Sequence, residues 1–217
     1  MSSSFQRFAG LLGILAGLAG LVYLIAFVAL KNPAALVPSI ALLLVGVFTS
    51  ATIVALYQRV REVDEGFALW GLFLGLAGAG GAAIHAAFDL ANNVNPPATA
   101  FGYASPIDPR GFLTFAVAGL GAFVIAWLVL RGNLFTRAVA YVGMAAGALL
   151  VLLYIAYMVI LNATNPVVLA LIFATGILQP IWYLWIGWLL WNAPATAPAR
   201  TVSTPVSTPP RSGGKRR

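Results

Sequence analysis

Cysteine occurs nowhere in the 217 residues, which excludes disulfides, thiolate metal ligands and a cysteine nucleophile. Histidine occurs once, at His85, too few for bis-histidine haem ligation or a three-histidine zinc site. Acidic residues number five, and Asp89 is the one carboxylate inside an apolar stretch, so the facing pair of an intramembrane aspartyl protease is missing. Both lysines, Lys31 and Lys215, fall outside the apolar stretches and leave no anchor for a retinal Schiff base. Neither a GxSxG elbow nor a GxxxxGK[ST] phosphate loop is present. A Ser–His pair of His85 with Ser39 or Ser50 finds nothing else in the sequence to support it. These absences point away from an enzyme and imply no metal and no organic cofactor.

Charge is scarce too. Only 8% of residues are charged while 61% are hydrophobic, and mean hydropathy is +0.96. A soluble domain covers itself with roughly a quarter charged residues, so this apolar surface is expected to face a lipid bilayer. The net charge of +7 does not point to nucleic acid, because the cations lie between apolar segments and on one side of them.

Crossing about 30 Å of hydrocarbon takes about 20 apolar residues in a helix. Six stretches qualify: 8–30, 34–57, 67–91, 111–130, 138–161 and 166–191. The sequence therefore predicts an all-α, polytopic bundle of six spans, forming one domain over 1–192. The first stretch is longer than a signal-peptide core and has only Arg7 as a basic flank, so it is expected to remain as a helix. Asn32-Pro33, Asp108-Pro109 and Asn165-Pro166 each set a capping acceptor before a first-turn proline, at the starts of helices two, four and six.

Ten of the Lys and Arg residues fall on one side of the predicted spans: Arg7, Arg59, Arg61, Arg131, Arg137, Arg200, Arg211, Lys215, Arg216 and Arg217. Lys31 and Arg110 alone fall on the other. The ten mark the cytoplasmic face, with both termini inside. Tyr57, Trp70, Trp127, Tyr141, Trp188 and Trp191 gather at that interface, whereas Trp182 and Trp185 extend the same stripe deeper as packing. Residues 193–217, rich in Pro, Ser and Thr and ending in three cations, read as a disordered tail that enforces topology and can touch anionic lipid head groups.

Helices in lipid associate through small residues that let backbones approach. Gly10, Gly13, Gly17 and Gly20 form a stripe on helix one, Gly71, Gly75 and Gly78 with Ala82 another on helix three, and Gly143 and Gly147 a GxxxG pair on helix five. The stripes are expected to face inward.

Ionisable residues in a span are costly and mark function by default. His85 and Asp89 stand four apart near the outer end of helix three, on the face that carries its glycines and Asn92. At that spacing the two can hydrogen-bond, the carboxylate then raising the imidazole pKa and fixing its tautomer. They are either a proton-responsive or ligand-binding site beneath the connection from Asn92 to Arg110, or pins that bond one another, Arg110 or loop backbone. Gln179-Pro180, near the middle of helix six, is either an ion site beside a freed Gly176 carbonyl or an ordinary proline kink. The candidate polar site is thus His85, Asp89, Asn92, Arg110 and Gln179. Asn162-Ala163-Thr164 matches a glycosylation sequon in a turn too short to use it.

The segments Tyr57-Gln58-Arg59-Val60-Arg61-Glu62 and Arg131-Gly132-Asn133-Leu134-Phe135-Thr136-Arg137, followed by Ala138 and Gly143, with a Trp-rich end to helix six, resemble a bacterial family of small six-helix membrane proteins known only as a domain of unknown function. The resemblance implies a fold and a bacterial plasma membrane, and no site residues. Function is expected to be non-enzymatic, as a subunit or accessory of a membrane assembly with a membrane-protein partner or a second copy. The alternatives are a small-solute or proton-coupled carrier using His85, Asp89 and Gln179, and a sensor reading ligand or pH through residues 92–110.

Overall fold

The structure is a computed structural model that describes residues 3–30, 35–97, 108–162 and 164–193. Lys31, the Asn32-Pro33 cap, residues 98–107, Ala163 and the tail from 194 lie outside the described residues. Six long helices run as α1 (Ser3–Leu30), α2 (Leu36–Val60), α3 (Glu65–Val94), α4 (Ala118–Arg131), α5 (Arg137–Ile160) and α6 (Pro166–Asn192), and a π-helical turn, Phe112–Val117, leads into α4. Each is long and apolar enough to cross a membrane, α4 together with its π turn. There is no strand among the described residues.

The helix ends show which capping expectations hold. Asn165 Oδ1 accepts from Val167 N at 2.9 Å with Pro166 opening α6, and Asp108 Oδ1 accepts from Arg110 N at 2.9 Å ahead of the π turn. Helix two departs from expectation. It starts at Leu36 behind Ala35, which makes no side-chain cap. The proline seated in its first turn is Pro38, where the absent N–H has no intrahelical acceptor to lose. An unforeseen cap opens α3, where Asp64 Oδ1 accepts from Phe67 N at 3.2 Å. Helix α5 stops one residue short of expectation because Leu161 turns left-handed at φ 54°. The ordinary helix expected from Gly111 begins instead as a π turn.

Each helix packs on its neighbours in sequence, and α6 packs back on α1, so the six close into a ring. Ala9, Leu56, Ala79, Ile125, Val139 and Trp182, one from each helix, belong to a single buried cluster that fills the middle. Trp182 is only 2% exposed, whereas Trp70, Tyr141, Trp188 and Trp191 are exposed at the periphery. The outer surface is apolar, with Ile25, Phe73, Ile84 and Val159 all exposed. Lipid is the solvent that such a surface fits.

The start of α1 and the end of α6 sit at one end of the ring. Gln6 Nε2 donates to the carbonyls of Leu190 and Ala193, each at 2.9 Å, and Gln6 Oε1 accepts from Arg59 Nη2 at 2.8 Å. This end is called the terminal end below, and the opposite one, holding the α3–α4 connection, the far end.

Glycine sets the spacing, though the stripes face adjacent helices more than the centre. The α1 stripe lies on α6: a Cβ on Gly10 would come 2.6 Å from Trp191 N, and one on Gly17 would come 2.7 Å from Pro180 O. Gly71 faces Val124 and Ile125, Gly75 faces Ile53, and Gly78 faces Ala118. Gly143 backs onto Trp182, and a Cβ on Gly147 would lie 2.5 Å from Gly119 O. Two partners in these contacts, Gly119 and Gly187, form no stripe within their own helices. A Cβ on Gly187 would meet Ile14 N at 2.6 Å and Gly10 O at 2.7 Å. Such contacts are backbone on backbone and cannot yield by a rotamer change.

Replacing Gly187 by Ala is therefore expected to destabilise the protein by about 1–3 kcal/mol, the usual cost of overpacking. Gly80→Ala is the control, since a Cβ there meets nothing within 4 Å, and helix propensity favours Ala by about 1 kcal/mol. Thermal unfolding in one detergent checks the pair. Equal melting temperatures would contradict close backbone packing between α1 and α6.

Candidate functional site

The last turns of α3 put His85 and Asp89 one above the other at the far end, with Asp89 buried and His85 half-buried. Two more charged residues, Asp108 and Arg110, arrive from the connection just before the π turn. Arg110 sits in the middle. Its Nη1 donates to Asp89 Oδ1 at 2.9 Å, and its Nε reaches both oxygens of Asp108 at 3.0 Å. Nη2 donates to Asp108 Oδ2, and Nη1 also reaches the His85 carbonyl at 3.2 Å. The guanidinium lies 4.4 Å over the Phe88 ring. Forked, charge-assisted bonds of this kind are the strong ones.

The electrostatics of the connection follow from that geometry. Burial pushes the Asp108 carboxyl up, but the hydrogen bonds and charge of Arg110 outweigh it and hold Asp108 below the usual carboxylate range. Burial likewise acts to lower Arg110, and its bonds to Asp108 and Asp89 outweigh it, raising the guanidinium further. Both groups therefore stay charged at every ordinary pH.

His85 and Asp89 do not make the hydrogen bond that their spacing allows, and of the partners weighed for Asp89 it is Arg110 that binds it. His85 Nε2 stands 3.7 Å from Asp89 Oδ2 and 3.6 Å from Asp108 Oδ2. Asp89 is drawn to Arg110 because a cation is the stronger donor. The other imidazole nitrogen, Nδ1, lies 3.3 Å from Thr114 Oγ1, whose hydroxyl donates to the Arg110 carbonyl at 2.9 Å. Thr114 belongs to the π turn, an irregularity often found at functional sites.

The remaining expected site residues lie apart. Asn92 is half-buried one turn beyond Asp89 and makes no hydrogen bond to the cluster among the described residues; its neighbour Asn93 donates to the Asp89 carbonyl at 2.8 Å. Gln179 is on α6, which packs on α1 and α5, and it hydrogen-bonds the hydroxyl of Tyr183, which also meets Thr49 of α2. Helix α6 runs unbroken through Pro180, so it is not the discontinuous helix that an ion site at Gly176 would use. The sequon residues bond one another: Asn162 Oδ1 accepts from Thr164 N and Oγ1.

Sequence reasoning missed Asp108 and Thr114 as members of the cluster. It took Asp108 for a cap, which it is, and a lone threonine in an apolar helix carries no signal. It also missed two polar links at the terminal end. Arg131 Nη1 meets Asp64 Oδ2 at 3.2 Å, joining the end of α4 to the start of α3. The Gln6–Arg59 bond joins α1 to α2, and the Arg59 guanidinium stands 5.4 Å from the Phe135 ring centroid. Among the described residues no group of three or more His, Asp or Glu side chains is placed to hold a metal ion.

No protein-family model matches the chain, and neither a curated protein nor a solved structure matches it significantly.

Asp89→Asn removes the charge that Arg110 answers and is expected to cost about 1.5–3 kcal/mol, the worth of a hydrogen bond to a charged group. Thermal unfolding of wild type and variant in the same detergent at neutral pH reads it. An equally stable variant would contradict the structural role given to the Asp89–Arg110 bond.

Proposed function

We propose that this chain is a non-enzymatic sensor in a bacterial plasma membrane, with both termini in the cytoplasm and the far end outside. The ten-to-two division of Lys and Arg supports that orientation. The resemblance to a bacterial six-helix family of unknown function supports the compartment. One observation carries the sensor reading: among the described residues, His85 and Asp89 of α3 and Asp108 and Arg110 ahead of the π turn form one charged network, so that α3 and the entry to α4 are held as a unit.

A route for the signal accompanies it. Arg110 leads into α4, and Arg131 at the other end of α4 pairs with Asp64 at the start of α3. Helices α3 and α4 are thus clipped together at both ends by Asp–Arg pairs. Loosening the outer clip frees α4 to shift against α3, which loads the inner one. A sensor with no chemistry of its own acts by changing what it contacts, so the chain works as a component of a larger membrane assembly, with another membrane protein or a second copy. The carrier alternative has less support, because Gln179 sits in a separate polar spot and Leu56, Ile125 and Trp182 fill the middle of the ring.

The absence of cysteine makes the test clean. An environment-sensitive fluorophore on Glu62→Cys reports the α2–α3 turn, and one on Val94→Cys reports the far end. In proteoliposomes, adding Arg110→Gln is expected to change the emission at both positions. A change at 94 with none at 62 would sink the sensor reading, since the disturbance would stop at the end where it was made.

A further inference from the structure

Thr114 has one hydroxyl proton, and it is spent on the Arg110 carbonyl at 2.9 Å. With its proton on that carbonyl, Thr114 Oγ1 can only accept from His85 Nδ1, at 3.3 Å, and this pairing assigns the imidazole hydrogen to Nδ1. In the neutral imidazole Nε2 is then a bare lone pair, and it faces Asp89 Oδ2 at 3.7 Å and Asp108 Oδ2 at 3.6 Å. A lone pair opposite two carboxylate oxygens is repelled, whereas an N–H⁺ in the same place is attracted to both.

The groups around His85 pull in both directions. Asp89 stands beside it on α3, Asp108 and Arg110 on the connection, and Thr114 on the π turn. Tyr23 of α1 is close enough to feel the charge of Asp89, Tyr154 of α5 lies against Phe112 of the π turn, and the far half of α2 has no ionisable side chain. With neutral His85, two carboxylates against one guanidinium leave a net charge of −1. With the imidazolium the cluster is neutral. Burial and the nearby Arg110 oppose a second cation here, and the two carboxylates favour it. Asp108, held low by Arg110, stays ionised through the range in which an imidazole titrates.

We infer that His85 is a proton-binding site that fastens Asp108 and Arg110, at the entry to the π turn, onto α3: a proton taken from the outer medium at Nε2 places an N–H⁺ between Asp89 and Asp108, and its return to the medium leaves a lone pair there that loosens them. The proton is thus the stimulus for the sensor proposed above, and the inference rests on that reading for its consequence, though not for its geometry. Tightening goes with acid and loosening with alkali, because the imidazole is charged on the acid side of its titration.

The single histidine makes the test direct. Nitrogen NMR of the imidazole in protein labelled with ¹⁵N-histidine and held in lipid nanodiscs needs no assignment, and the wild type alone decides the first point. At the alkaline end of the titration the signal is expected to show hydrogen on Nδ1 and none on Nε2, the reverse of the preference of free histidine. Thr114→Val is expected to restore hydrogen to Nε2, and Asp108→Asn to weaken proton binding about tenfold, as loss of a close opposite charge does. A wild-type imidazole with its hydrogen on Nε2, or a titration unmoved by Asp108→Asn, would overturn the inference. The fluorophore on Glu62→Cys, followed over the same pH range, separates the two claims. If His85 titrates as stated and position 62 stays silent, the proton site stands and the sensor reading falls. If position 62 answers to Arg110→Gln but the imidazole fails either criterion, the proton inference falls alone.

Discussion

Apolar side chains gain nothing by leaving lipid for one another, so helices in a bilayer are held by how closely their backbones can come. That constraint shapes this protein throughout. Gly10 and Gly187 bring α1 and α6 into backbone contact, and Gly119 and Gly147 do the same for α4 and α5. Six helices packed this tightly and closed into a ring leave a middle that a few large side chains fill, Trp182 and Ile125 among them. Ionisable groups have little place there and collect at the two ends.

The ends are built differently. The terminal end uses separate links: the Gln6 amide bridges Arg59 to the closing carbonyls of α6, and elsewhere Asp64 pairs singly with Arg131. The far end concentrates four ionisable groups in one place. Asp89 alone, buried within a span, would be a costly charge. Arg110 neutralises it and holds Asp108 as well, which leaves one carboxylate charge in excess beside the only imidazole in the chain. A network whose charge balance hangs on a single titratable group differs from a plain structural clamp, and the π turn that supplies Thr114 adds local geometry that regular helix would not.

Much of this was legible in the sequence. The span count follows from apolar run length, and the start of α6 was written in Asn165-Pro166. Helix α2 begins at Leu36, later than expected, because apolar run length does not mark which residue ahead of Pro38 opens the helix. The glycine stripes could be seen within one helix at a time, whereas Gly187 and Gly119 acquire their role only when another helix arrives. At the site, helical spacing placed His85 and Asp89 together and made Arg110 a partner, because all three are ionisable and near one end. It could not show that Arg110 would outcompete His85 for Asp89, nor that Asp108 would turn in from its capping position. Gln179 joined the candidates on polarity and mid-span position alone, and its partners on neighbouring helices are invisible to periodicity.

The central claim is that Arg110 binds the entry of α4 to α3 through opposite charge. A double-mutant cycle on the thermal stability of Asp89→Arg, Arg110→Asp and the two combined tests it most directly. Each single reversal brings like charges together at a partly buried site and is expected to cost about 3–5 kcal/mol, as breaking a buried pair does. The combined reversal should recover at least half of the summed loss, because it restores an opposite pair at the same two positions. A double variant as unstable as the two single losses added together would contradict the account.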